Sequence, residues 1–160
     1  MNLNFHKHHE TPEPPVAAEC PDCASSDVSM DRSDQRFNYG SGTDAAKLTC
    51  SVPVYRCHAC GYAWTGEEAE DARHRAICRH LGRLTPDEVL SVREQHNLSQ
   101  AEFSRITGFG EASLSRWETG VQIQNASNDG LLRLIQADPD NLRRLEERAG
   151  KTGTPGAKRI

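Results

Sequence analysis

Apolar residues along most of this chain stand singly at helical spacing between polar ones, and one stretch alternates in period two instead. The helical pattern is sharpest over residues 98–120, LSQAEFSRITGFGEASLSRWETG. Leu98 precedes Ser99, and Glu102 follows three residues later, which is a capping box; Leu98 and Phe103 occupy the N′ and N4 positions of a hydrophobic staple. A helix therefore starts at Gln100. Gly108 supplies the positive φ that ends it, Gly110 opens a second helix over about 111–118, and Gly120 stops that one. Two short helices on a tight turn are helix-turn-helix grammar. At ~100° per residue, Leu114, Trp117 and Glu118 share one side of the second helix. Ala112 and Arg116 project from the other, flanked by Ser113 and Ser115.

The same reading extends to the rest of the chain. Thr85-Pro86-Asp87-Glu88 is a second capping box, opening a helix through about His96 with Val89, Leu90 and Val92 available to a core. After residue 120, VQIQNASND reads as a polar loop, GLLRLI as a short helix, and Asp138-Pro139 as the start of a final helix carrying Leu142 and Leu145. That makes five helices over residues 83–148. Leu131, Leu134, Ile135, Leu142 and Leu145 exceed what so small a domain needs to bury, so part of this surface is a candidate dimer interface; burial of all of it in one chain is the equal alternative. Residues 66–82 form a helix with acids first and Arg73, Arg75, Arg79 and His80 later, which complements the macrodipole and suits a connector. The period-two stretch is LTCSVPVYRC, one side of a hairpin that Tyr62 and Trp64 continue, with polar turn material before it.

Cysteine spacing adds chemistry. CPDC (Cys20, Cys23) and CHACG (Cys57, Cys60, then Gly61) are two C-x2-C knuckles separated by 33 residues. Each short turn places two thiolates on one side of a metal, the donor set of one structural Zn2+ per chain. A disulfide pair or a redox dithiol are the competing readings. Four thiolates close a tetrahedron, so Cys50, Cys78, His58 and His74 are left over, with Cys50 the reserve ligand. His6, His8 and His9 could chelate a metal, but read more simply as part of a solvated tail. The expected fold class is α+β. A disordered tail (1–18) leads to a zinc ribbon built on a β-hairpin (19–65), a connector helix (66–82) and an all-α five-helix domain (83–148), followed by a disordered basic tail (149–160).

Composition narrows the class. Hydrophobic residues make up 36% and charged residues 26%, and no apolar run approaches the ~18 residues of a membrane span. The N-terminus lacks the apolar region of a secretory signal, so the expected compartment is a reducing cytoplasm. No nucleophile–base pair, phosphate loop or open metal position is legible, so an enzyme is not expected. The net charge is −4, distributed as −4 over residues 1–80, −3 over 81–148 and +3 over 149–160. An acidic helix-turn-helix half has little counterion release to draw on. A dimer presenting two recognition helices offsets this, and the small ridge around Arg116 suits a major groove, where Arg pairs with guanine and an alanine methyl meets thymine. Expected contacts to double-stranded DNA are Arg116, Ala112, Ser113 and Ser115, with Ser99 and Gln100 opening the preceding helix.

In this order, CPDC, CHACG, LSQAEFSRITGFGEASLSRWETG and IQNASNDGLLRLI resemble the MqsA/YgiT family of type II antitoxins, whose C-terminal half belongs to the wider Xre/Cro-like group. The resemblance spans roughly residues 18–148. It implies a zinc-structured N-terminal domain that docks a toxin, typically a small ribonuclease. It also implies a C-terminal domain that dimerises on a palindromic operator and represses its own operon. The family's base-reading arginine matches Arg116, whereas Ala112 stands where the characterised antitoxin has asparagine, which removes a direct adenine contact. A −4 N-terminal half suits a cationic ribonuclease. A free-standing regulator without a toxin and a zinc-dependent interaction adaptor are the alternatives.

Overall fold

The sheet grows from the alternating stretch. In the computed structural model, which describes residues 19–152, strand β2 spans Ala46–Cys57 and buries Val52, Tyr55 and Cys57. The tail expected over residues 1–18 lies outside the described residues. Strand β1 (Val28–Tyr39) precedes β2 across a short 3-10 turn at Gly42–Asp44, and β3 (Ala63–Trp64) completes a three-stranded sheet in the order β1-β2-β3. β3 runs antiparallel to β2, with Tyr55 opposite Trp64 and Arg56 opposite Ala63. The polar run before β2, expected as turn material, is thus a twelve-residue strand. None of its residues is fully buried and half are exposed, so ladder hydrogen bonding rather than burial holds it, and hydrophobic periodicity carries no trace of that.

The described chain forms two compact units. One contains the chain through Gln35 together with Cys50–Glu70, and the other contains Arg36–Thr49 and the chain from Asp71 onward. Helix α1 (Glu67–His80) runs through the boundary, with its acids in the first turn and Arg79 and His80 in the last.

The second unit holds α2 (Pro86–Glu94), α3 (Gln100–Thr107), α4 (Glu111–Glu118), α5 (Ala126–Ala137) and α6 (Asp140–Thr152). With the hairpin and α1, this is the expected α+β architecture. Both capping boxes are formed: Thr85 with Glu88 and Ser99 with Glu102. Val89, Val92, Phe103, Ile106, Leu114, Leu132 and Ile135 build one core, against which Leu98, Leu131 and Leu145 pack. Most of the leucine surplus is therefore intramolecular, and only Leu134 stays largely exposed, at 58%.

Two helix boundaries differ from expectation. α5 begins at Ala126 rather than Gly130, because the Asn125 side chain accepts the Asn128 amide and turns the polar run ASND into a helical first turn. α6 continues through Thr152, so residues 149–152, expected in the basic tail, are its last turn; residues 153–160 lie outside the described residues.

The early start of α5 places Asp129 in the interior. Its Oδ1 accepts the Leu84 amide at 2.7 Å and the Gln124 side-chain amide at 3.0 Å, while Oδ2 accepts Arg133 Nε at 2.7 Å. Gln124 also donates to the Leu84 carbonyl, and Arg133 to that of Gly82. The chain entering α2 is thereby tied to α5. Burial opposes ionisation of Asp129, but the Leu84 amide, Arg133 and Gln124 outweigh it and hold the carboxyl below its ordinary range. Stability from this group is present above the unfolded carboxyl's pKa of ~3.9 and is lost as pH falls through the depressed native value. Asp129→Ala, which strands a buried amide, should cost about 2–3 kcal/mol in urea denaturation at neutral pH. Asp129→Asn should flatten the loss of stability below pH ~4.

Candidate metal centre and helix-turn-helix surface

Cys20, Cys23, Cys57 and Cys60 converge, with all four sulfurs within 4.8 Å of one another. Cys20 and Cys60 Sγ lie 3.5 Å apart, and Cys23 and Cys57 Sγ 3.6 Å apart. No disulfide links them. A tetrahedron with metal–sulfur bonds of ~2.3 Å separates its sulfurs by roughly 3.8 Å, so the spacing fits a closed four-thiolate site. The two knuckles fold alike. The Ala24 amide donates to the Cys20 carbonyl and the Gly61 amide to the Cys57 carbonyl, both at 2.9 Å. Both turns end in the left-handed region, Ala24 at φ 57° and Gly61 at φ 79°. Glycine at the second was legible in the sequence; alanine at the first was not, because a positive φ is unusual for a side chain with a Cβ.

The same turns aim amides at sulfur. Cys57 Sγ accepts from the Cys60 and Ala59 amides, which bring its pKa down to about 7. At Cys60 the Tyr62 amide favours the thiolate, yet desolvation and the three neighbouring thiols outweigh it and push the pKa up to about 12. The Ser25 amide and the Cys60 thiol likewise favour the Cys23 thiolate, but desolvation and the Cys57 and Cys20 thiols leave that pKa raised. Such a cluster ionises completely only around a cation. The surroundings add a second reason for one. Cys20, Val52, Pro53, Tyr55, Cys57 and Ala69 are the buried apolar residues described in this unit, too few for a self-sufficient core. Cys50 is half-buried on β2 and Cys78 buried on α1, and neither joins the cluster.

In the second unit α3 and α4 meet across a three-residue turn. Gly108 (φ 80°) caps α3, Phe109 is buried, and Gly110 caps α4. Phe109 packs edge-on against Trp117 at 5.2 Å, which seats α4 on the core. Leu114 and Trp117 face inward, Ala112 and Arg116 are exposed, and Ser113 and Ser115 are half-buried between them. Ser99 is exposed but committed to its capping box with Glu102. The Gln100 side-chain amide donates to Glu118 Oε2 at 2.6 Å.

Glu118 is the residue whose importance periodicity did not reveal. Its carboxylate is 3% exposed and receives Arg93 bidentately, from Nε at 2.7 Å and Nη2 at 3.0 Å. Arg93 Nη1 also donates to the Leu98 carbonyl. One guanidinium thus links α2, the α2–α3 loop and α4, and Gln100 adds α3. The only cue was a carboxylate on the inward side of an amphipathic helix, which requires a cationic partner without naming it.

A four-cysteine hairpin followed by a helix-turn-helix unit defines a two-module class of protein. The chain matches, over residues 18–146, the family described as the antitoxin component of a bacterial toxin–antitoxin system, MqsA, and it belongs to that family. It is also similar to antitoxin HigA-2 of Vibrio cholerae serotype O1, 36% identical over 64 residues, which are 40% of this chain and 62% of that protein. The chain thus spans less than two thirds of that relative.

Arg93→Ala leaves the Glu118 carboxylate buried without its partner and should destabilise the helical unit by about 3–5 kcal/mol in urea denaturation. A loss below ~1 kcal/mol, the worth of an exposed pair, would show that the pair does not hold α4.

Proposed function

We propose that this chain is a zinc-structured, DNA-binding antitoxin that represses its own operon as a homodimer and neutralises a small basic ribonuclease through its N-terminal unit. It works in the cytoplasm and carries out no catalytic step of its own. The observation that carries the DNA reading is the outward side of α4, where exposed Ala112 and Arg116 stand between half-buried Ser113 and Ser115 on a helix whose other side is locked into the core. Small side chains let the backbone approach the major groove, and Arg116 is placed to pair with guanine O6 and N7. Ser99 and Gln100, at the N-terminus of α3, lie where helix-turn-helix proteins meet the phosphate backbone. The absence of asparagine at position 112 supports an operator different from that of relatives that read adenine there.

Zn2+ is the metal that best suits four thiolates in a closed tetrahedron, where it cross-links the two knuckles and carries the charge that four ionised sulfurs require. Cys20, Cys23, Cys57 and Cys60 would hold it, and the knuckle amides of Ala59, Cys60, Tyr62 and Ser25 would soften the thiolate charge. We assign the domains as a ribbon over 19–65, a connector over 66–82 and a DNA-binding domain over 83–148, with dimerisation through the last.

Two half-sites should lie ~34 Å apart, or a multiple of that, on a palindromic operator. In gel-shift titration Arg116→Ala should lose about 1–3 kcal/mol and relax preference at one base position. Equal affinity for variant and wild type would remove Arg116 from the readout. Zinc analysis should give one ion per chain, and a strong chelator should abolish the ordered ribbon, visible as lost amide dispersion for residues 20–65, while the helical unit keeps its cooperative melt. Relief by this chain of growth arrest caused by the adjacent reading frame's product separates an antitoxin from a regulator with no toxin.

A further inference from the structure

The end of β2, β3 and the residue just before β3 bring three aromatic rings together. Tyr55 and Trp64, directly opposite each other, stack at 5.6 Å between centroids with planes 22° apart. Tyr62, just before β3, stacks on the other side of Trp64 at 6.0 Å and 19°. Exposure rises along the stack: Tyr55 is buried, Trp64 half-buried and Tyr62 47% exposed. The inner end is fixed, because the Tyr55 hydroxyl donates to Glu68 Oε1 at 3.1 Å. The backbone under the outer end is fixed too, since the Cys57 amide donates to the Tyr62 carbonyl at 2.9 Å. This is a rigid ladder of nearly parallel rings whose last ring faces outward.

The surrounding charge says what that ring would accept. Residues 19–35 and 50–70, the described part of this unit, carry eight carboxylates against two guanidiniums, a formal balance of −6. A divalent metal held by four thiolates would add two further negative charges. Arg56, adjacent in sequence to Tyr55, is directed to the opposite side of the strand and does not neutralise the ladder face. A nucleobase would also stack on Tyr62, but its phosphate would meet a strongly negative field. A cation gains from the field and the ring together. Among cations, the planar guanidinium continues a stack of parallel rings and the ammonium of lysine does not.

We infer that the Tyr62–Trp64–Tyr55 ladder is the anchor of the toxin-docking surface and takes an exposed arginine of a basic partner protein, stacked on Tyr62. The inference rests on the proposal that the N-terminal unit binds a cationic toxin, and it names the contact. Its test uses the full-length, zinc-loaded chain with Tyr62→Ala and Tyr62→Phe, both at an exposed side chain; matching zinc content and circular dichroism establish the fold of each variant. The probes are an arginine hexapeptide, a lysine hexapeptide of equal charge, an oligodeoxythymidylate, and the purified product of the adjacent reading frame. The Trp64 indole N–H resonance reports binding of the first three, and calorimetry that of the fourth.

The arginine peptide should bind about five-fold more tightly than the lysine peptide. Tyr62→Ala should erase that preference, and Tyr62→Phe should keep it. Affinity for the adjacent product should fall about ten-fold in Tyr62→Ala. No arginine preference, tighter binding of the oligonucleotide, or equal affinity of Tyr62→Ala and wild type for the product each overturns the ladder assignment. In the last case the toxin-binding reading survives. If the wild type does not bind the product while the arginine preference persists and depends on Tyr62, the ladder stands as an arginine site and that toxin is the wrong partner.

Discussion

The helical unit depends on a carboxylate that is almost wholly buried. Glu118 closes α4 on its inward side, where a lone charge would be several kcal/mol too costly to keep. Arg93 answers it with two parallel hydrogen bonds and uses its remaining nitrogen on the Leu98 carbonyl just before α3 begins. Because Gln100 shares the same carboxylate, α2, α3 and α4 meet at one point, and the angle of α4 is specified by directional bonds as well as by packing. Trp117 and Phe109 fill the space beside it. Hydrophobic burial stabilises the helices as a group, whereas the ion pair selects one arrangement among those the core would accept. The outward face of α4 inherits that precision, which the DNA-reading role proposed for it would require.

The two units solve the problem of stability differently. The helical unit buries a contiguous set of aliphatic and aromatic side chains and secures its α2 entrance with Asp129. The hairpin unit buries few apolar residues, two of them cysteines of the cluster, and its first strand is largely polar. A metal held by the four cysteines would let so small a core hold one structure. It would also leave the faces of the sheet for other work. An aromatic ladder open at one end, on a strongly acidic unit, is better suited to recognising a partner than to filling a core.

Much of the helical unit was legible because its signals are local. A capping box acts within four residues, a positive-φ glycine within one, and helical periodicity within three turns; α3, the turn and α4 accordingly fall where expected, with Ala112 and Arg116 outside and Leu114 and Trp117 inside. The cysteine quartet was legible for the same reason, each knuckle being a four-residue motif whose chemistry demands a second. Boundaries were missed where polarity was taken for irregularity. The first turn of α5 is polar because it carries a cap and a buried aspartate, and β1 is polar because it is held by its neighbour's backbone.

The sequence by itself determined the element types of the helical half, the four converging thiolates, the side of α4 that faces outward and the family to which the chain belongs. The long-range partners of Glu118 and Asp129 were decided by the tertiary structure alone. Arg93 and Glu118 are 25 residues apart, Leu84 and Asp129 45 apart, and no pattern of spacing links them, since an ion pair is chosen by where the fold brings two side chains rather than by any periodicity along the chain. The stacking of Tyr55, Trp64 and Tyr62 belongs to the same class. Their identities are plain in the sequence, but strand register sets Tyr55 opposite Trp64, and register is a property of the paired sheet.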